Sequence, residues 1–135
     1  MRRLTLNLAL VLMVAAAGCG GGGEPQTSPL ERGGINAMDL LQTLNARTTR
    51  VLGTITGPGA AEAALPDLEA ISSSYDDLAD AAKGLSPEGR ERLAAECARI
   101  LPGLRDNATR LAAMRGGEVI APVLREITDK VAALQ

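Results

Sequence analysis

Histidine, phenylalanine and tryptophan are absent from this chain of 135 residues, and Tyr75 is its only aromatic side chain. Without histidine the commonest general base is missing, and with it the usual catalytic triads and every histidine-based zinc pattern. Without aromatic platforms, sugars and bases have little to stack on, which argues against a carbohydrate or nucleic-acid site. Cysteine is scarce too: Cys19 and Cys97 are the only two. The longest apolar stretch, Leu4 to Ala17, has 14 residues and is interrupted by Thr5 and Asn7. A membrane-spanning helix needs about 20 apolar residues, so this stretch is too short to be read as a span.

What is present is small and aliphatic. The apolar share of 46% comes almost entirely from Ala, Leu, Val and Ile, so any core is built from compact pieces. The positive start Met1-Arg2-Arg3, the apolar run and its ending in small residues have the form of an export signal over residues 1–18. Arg2-Arg3 also looks like a twin-arginine pair, but the residues that usually surround such a pair are missing. Removing residues 1–18 leaves 117 residues, one domain's worth, with 12 basic against 16 acidic side chains and a net charge of −4. That balance does not suit a phosphate backbone, and no nucleic-acid partner is expected.

The apolar run closes on Ala16-Ala17-Gly18-Cys19. This resembles the lipobox of bacterial lipoprotein precursors, in which small residues precede a modified cysteine; the commonest first residue of the box is leucine, where this chain has Ala16. The resemblance implies that Gly18 and Cys19 flank the processing site and that Cys19 carries the lipid as the first mature residue. It also implies a membrane partner reached through that lipid, with fatty acyl groups such as palmitate. Gly20 stands where an aspartate commonly retains such proteins at the inner membrane, so the resemblance implies delivery to the outer membrane in a bacterium with two membranes. Physically, one acyl chain binds a bilayer only marginally and two or three anchor stably, each buried methylene contributing about 0.8 kcal/mol. With Cys19 acylated, no disulfide to Cys97 is available.

Residues 19–34 combine the lipidated cysteine with a Gly/Pro-rich stretch (GGGGEPQTSPLERGG from Gly20) that lacks apolar periodicity. It reads as a flexible tether spanning about 20 Å. Residues 35–135 read as the folded domain. From Asn36 onward, Met38, Leu41, Leu44, Thr48, Val51 and Ile55 mark one face of a first helix, which Gly57-Pro58-Gly59 ends. Leu65, Leu68, Ile71, Tyr75, Leu78, Ala82 and Leu85 mark a second, with Pro66 tolerable only near its start and Gly84 at its close. Ser86-Pro87-Glu88 is a strong start signal for a third helix: a capping hydroxyl, proline at the first helical position and an acid in the first turn. Its face (Leu93, Cys97, Ile100, Leu104, Ala108, Leu111, Met114) stays in phase across Pro102, which predicts a kink there rather than a break, and Gly116-Gly117 stops it. Ile120, Val123, Leu124, Ile127, Val131 and Leu134 mark the last helix.

The prediction is therefore an all-α fold: an antiparallel bundle of about four helices, the third kinked at Pro102, behind a signal peptide and tether. The segments AEAALP at 61–66 and LSPE at 85–88 are similar to those of a group of small helical lipoproteins without assigned activity. That resemblance implies the same fold and no mechanism.

The remaining constellations are weak. Glu69, Asp76, Asp77 and Asp80 fall opposite the apolar face of the second helix as an acidic stripe. They have helical spacing and not the convergent loop of a calcium site, so a solvated face is the simpler reading and no metal is expected. Arg90, Arg92, Arg99, Arg105, Arg110 and Arg115 bias the third helix basic, suited to the acidic helix, anionic lipid or plain solvent. Cys97 sits on an apolar face and reads as a buried small hydrophobe. Asn107-Ala108-Thr109 has the form of a glycosylation acceptor but lies within a helix, and the end at Leu134-Gln135 lacks the terminal lysine used by a well-known small helical lipoprotein for wall attachment.

Function from sequence thus reads as a membrane-anchored envelope lipoprotein, non-enzymatic and without cofactor or catalytic residues. Its domain would contact an envelope protein or play a structural part. The alternative is a carrier or binding module for a lipid or other apolar ligand.

Overall fold

The computed structural model describes residues 29–32 and 34–135. The expected signal peptide, Gly18, Cys19 and the first part of the tether lie outside the described residues. Two short strands, β1 (Glu31–Arg32) and β2 (Ile35–Asn36), are followed by four α-helices among the described residues: α1 (Ala37–Thr54), α2 (Pro58–Lys83), α3 (Pro87–Ala112) and α4 (Ala121–Ala132). A single turn of 3-10 helix, Gly117–Val119, links α3 to α4. This is the predicted all-α bundle.

Local chemistry sets each boundary. The Asn36 side chain accepts hydrogen bonds from the backbone of Met38 (3.0 Å) and Asp39 (3.2 Å), capping α1. The Ser86 hydroxyl accepts from Gly89 N at 3.1 Å and caps α3, as its sequence signature predicts. At the far end Gly116 adopts a left-handed backbone (φ 84°) and comes so close to Pro58 that a side chain there would collide with it.

Two readings of the sequence need correction. First, α2 does not start near Leu65: it opens at Pro58, and Pro66 lies well inside it. Pro58 has the ring geometry that suits a first helical position, and the alanines at 60, 61, 63 and 64 are strong helix formers. The carbonyl of Glu62, deprived of its partner by Pro66, belongs to an exposed residue next to an exposed proline, so water can satisfy it. The same holds in α3, where Ala98 and Pro102 are both exposed and the helix is continuous from Pro87 to Ala112. Second, the end of the expected tether is folded. β1 and β2 pair antiparallel, Glu31 opposite Asn36 and Arg32 opposite Ile35, with Gly34 in the left-handed region (φ 81°). Leu30 is buried in the core and its carbonyl accepts from Ala37 N at 2.8 Å. Leu30, the approach of Pro29 to Gly89 and the Arg32–Asp80 hydrogen bond dock this segment, and the described fold starts at Pro29.

Consecutive helices run antiparallel, but chain order is not spatial order. α1 lies along α2, α2 along α4 and α4 along α3, so α2 and α3 face each other mainly across the core. Ser72 meets Glu126 and Asp76 meets Lys130, which makes the neighbours α2 and α4 parallel. The centre holds Leu41, Leu68, Ile71, Tyr75, Leu78, Leu93, Leu111, Leu124 and Ile127, all with under 2% of their surface exposed. No helix among the described residues is long and apolar enough to cross a membrane.

Candidate functional site

Among the described residues, three places bring chemically distinctive side chains or space together. The first is a polar clasp between α2 and α4. Lys130 Nζ donates to Ser72 Oγ (2.9 Å), to the Ser72 carbonyl (3.0 Å) and to Asp76 Oδ2 (2.9 Å), and pairs with Glu126 Oε1 at 2.8 Å. Ser72 Oγ in turn donates to Glu126 Oε1 at 2.8 Å. A serine hydroxyl beside a lysine amine is the layout of a serine–lysine nucleophile, which needs a neutral amine to take the proton. Here the amine is held in its charged form. Partial burial works to lower its pKa, but the hydrogen bonds and charges of Glu126 and Asp76 outweigh that and leave it raised. Ser72 is itself buried and its proton already points at a carboxylate, so the set fastens two helices and has no free base. Lys130 at the same time holds the Glu126 carboxyl below its ordinary pKa, with help from Ser72.

The second is a line of weakly polar groups in the core. Thr48 of α1, Tyr75 of α2 and Cys97 of α3 are all fully buried or nearly so. Burial pushes the Cys97 thiol up to about 11, with the Glu96 carboxylate adding to the rise. A thiol so placed is a poor nucleophile at neutral pH, which fits the reading of Cys97 as a small core hydrophobe. Burial likewise raises the Tyr75 phenol, offset in part by the neighbouring Thr48 hydroxyl and reinforced by Cys97. Thr48, however, gives its own proton to the Leu44 carbonyl at 2.7 Å, and among the described residues no hydrogen bond of ordinary geometry reaches Tyr75 Oη.

The third is an apolar groove of about 590 Å³ where α4 runs out between α2 and α3. Ala79, Ala82, Leu93, Ala94 and Leu134 line it, and Lys83, Arg90 and Gln135 stand at its rim. The same end of the bundle receives the incoming chain. Pro29 abuts Gly89 in the first turn of α3, and Arg32 lies across Gly84 and donates to the Asp80 carbonyl at 2.6 Å. A second groove of about 410 Å³ runs over the clasp and is mixed, with Glu69, Ser72, Asp76, Glu126 and Lys130 beside Leu65, Val119 and Val123.

The other charged residues singled out in the sequence stay at the surface. Arg92 pairs with Glu88 (2.6 Å) and Arg99 with Glu96 (2.5 Å) within α3, not with the acidic helix. In the acidic stripe, Asp80 pairs with Lys83 at 2.8 Å and Asp76 joins the clasp. No three carboxylates or thiols converge on a common point among the described residues. The clasp and the groove are what the sequence reading missed. A signal for the first existed in the i,i+4 pair Glu126–Lys130 opposite Ser72, which interrupts the apolar face of α2; the groove has none, because it depends on relative helix length. Compared with protein-family models, with characterised proteins and with solved structures, the chain matches none.

Proposed function

We propose that the protein is a lipid-anchored bacterial envelope lipoprotein whose helical bundle acts without catalysis, by contacting an envelope protein or as a structural module at the membrane surface. The observation that carries this reading is Ala16-Ala17-Gly18-Cys19 at the close of a 14-residue apolar run behind Met1-Arg2-Arg3. Cys19 carries the lipid and processing falls between Gly18 and Cys19. The described fold starts at Pro29, ten positions after Cys19, and ten residues span at most about 36 Å, which keeps the domain close to the headgroups it is anchored in. Two features support a non-catalytic role: the buried thiol at Cys97 and the serine–lysine pair whose amine is kept charged by Glu126 and Asp76.

The test is metabolic labelling with a fatty acid. The wild type incorporates label and migrates as the processed form, whereas Cys19→Ser remains an unlabelled precursor because lipid transfer needs the thiol. Equal labelling of the two would overturn the anchor. The second reading, a carrier for lipid or another apolar ligand, draws on the 590 Å³ groove. Lipid recovered in stoichiometric amount by organic extraction, beyond what is covalently held at Cys19, would favour it.

A further inference from the structure

We propose that the groove at the end of α4 shelters one acyl chain attached to Cys19 of the same molecule whenever the protein is away from a bilayer. The inference rests on the lipid-anchor reading above and adds a binding site to it.

The groove exists because the helices differ in length. α2 and α3 each have 26 residues and α4 has 12, which correspond to about 39 Å and about 18 Å. Near its end α4 is level with Asp76, to which Lys130 is bonded at 2.9 Å. Past Lys130, α4 has only Val131 and Ala132 left, and Ala133, Leu134 and Gln135 line the groove together with Ala79, Ala82 and Lys83, so the last turns of α2 have a short non-helical neighbour in place of α4. The groove's aliphatic surface comes from Ala79 and Ala82 of α2, Leu93 and Ala94 of α3, and Leu134, while Lys83, Arg90, Glu91 and Gln135 also border it. Three of these five are alanines, which keep the floor low and leave a slot. Its volume of about 590 Å³ lies in the range of clefts that take small apolar ligands, about 300–1,000 Å³. The groove over the clasp sets Leu65, Val119 and Val123 among Glu69, Asp76, Glu126 and Lys130, so an aliphatic chain there would lie against charge.

The choice of occupant follows from where the chain enters. Pro29 rests on Gly89, and the next residue, Arg90, is part of the groove rim. Ten positions separate Cys19 from Pro29, a contour of at most about 36 Å, against a helix diameter of about 10–12 Å to be passed. An acyl chain on Cys19 is therefore presented to the groove intramolecularly, at an effective concentration of the order of millimolar, without any free lipid being needed. Each methylene that enters leaves water, which is the driving force; insertion into a bilayer removes more and draws the chain out again. The groove then acts as a temporary seat during passage through an aqueous compartment.

The test uses the full chain. Cells are fed a fatty acid carrying a photoreactive diazirine, the labelled protein is transferred to detergent-free, lipid-free buffer, and crosslinks are mapped after irradiation. The expected result is intramolecular crosslinks to peptides covering residues 79–94 and 131–135. They should fall at least tenfold in Ala94→Trp and in Ala79→Trp, each of which fills the slot from a half-buried position, while incorporation of label and helicity stay unchanged. Ala95→Trp, on the exposed neighbouring face of α3, should crosslink like the wild type. Incorporation of label with crosslinks confined to free lipid, to another polypeptide or to a second copy of this chain would overturn the proposal and leave the anchor standing. Absence of incorporation would overturn both.

Discussion

The carbonyl oxygen of Pro29 occupies the place that the β-carbon of any other residue would need at Gly89. This contact is between backbone and backbone, so neither side can yield by changing a rotamer. It joins the entering segment to the first turn of α3, beside the Ser86 cap, and holds Leu30 over the core.

Gly89→Ala should therefore displace the hairpin. The expected cost is about 1–3 kcal/mol, typical of overpacking a close contact. Hydrogen exchange at Ala37 N, bonded to the Leu30 carbonyl at 2.8 Å, should accelerate more than exchange within α2 or α4. Unchanged exchange at Ala37 would show that the contact contributes nothing to docking.

The clasp makes stability depend on pH at both extremes. Glu126 has a folded pKa below the ordinary 4.5, first through its bond from Lys130 and then through Ser72. Below 4.5 the unfolded chain thus binds protons more readily than the folded one, and stability falls as pH drops through the folded value. Lys130 has a folded pKa above the ordinary 10.5, so its contribution is complete below that pH and is lost as pH rises through the folded value. Lys130→Met should cost about 1.5–3 kcal/mol at pH 7, since it removes charge-assisted bonds across α2 and α4. In denaturant titrations across pH the variant should also show a shallower loss below pH 4.5; an unaltered acid limb would place the pH sensitivity elsewhere.

Tyr75→Phe should hold or raise stability, against the usual result for a core residue. The hydroxyl is fully buried and, among the described residues, has no hydrogen bond of ordinary geometry, a condition that costs about 1–3 kcal/mol, and removing it relieves that cost. A fall in melting temperature would reveal a partner for Oη in solution. In the same core, Cys97 should resist thiol reagents at pH 8 until denaturant is added, because burial both covers it and holds its pKa up at about 11.

Pro102→Ala should stabilise α3. A proline inside a helix costs about 3 kcal/mol relative to alanine, and this one is exposed, so no packing is lost when it is replaced. A gain of about 1–3 kcal/mol, read as a higher melting temperature, is expected. A loss would mean that the backbone at Pro102 is shaped for a contact that a regular helix cannot make.

Periodicity made most of the fold legible. The Ser86-Pro87 start, the burial of Thr48 and Cys97 and most of each apolar face can be read from spacing alone, although at the ends of α1 Ala37 and Leu52 are buried and Met38 and Val51 only half-buried. Pro66 misled because a proline marks a boundary only when the carbonyl it frees has nowhere to go, and exposure supplies water. The hairpin at 31–36 escaped because two-residue strands have no measurable alternation. The sites were less legible: a clasp needs to know that α4 lies beside α2, and a groove needs to know which helix is shortest. Neither is a property of any one segment.

The insertion of α4 between α2 and α3 also decides the order in which this chain can complete itself. Ser72 and Glu126 are 54 positions apart, and Ser72 and Lys130 are 58 apart. A bundle built only from neighbouring hairpins could close pair by pair from its first residue. Here α2 and α3 each keep an apolar flank open until α4 fills the space between them, so the slowest loop closure comes last. A chain cut or stalled ahead of Ile120 would carry most of the helical sequence and yet no finished interior.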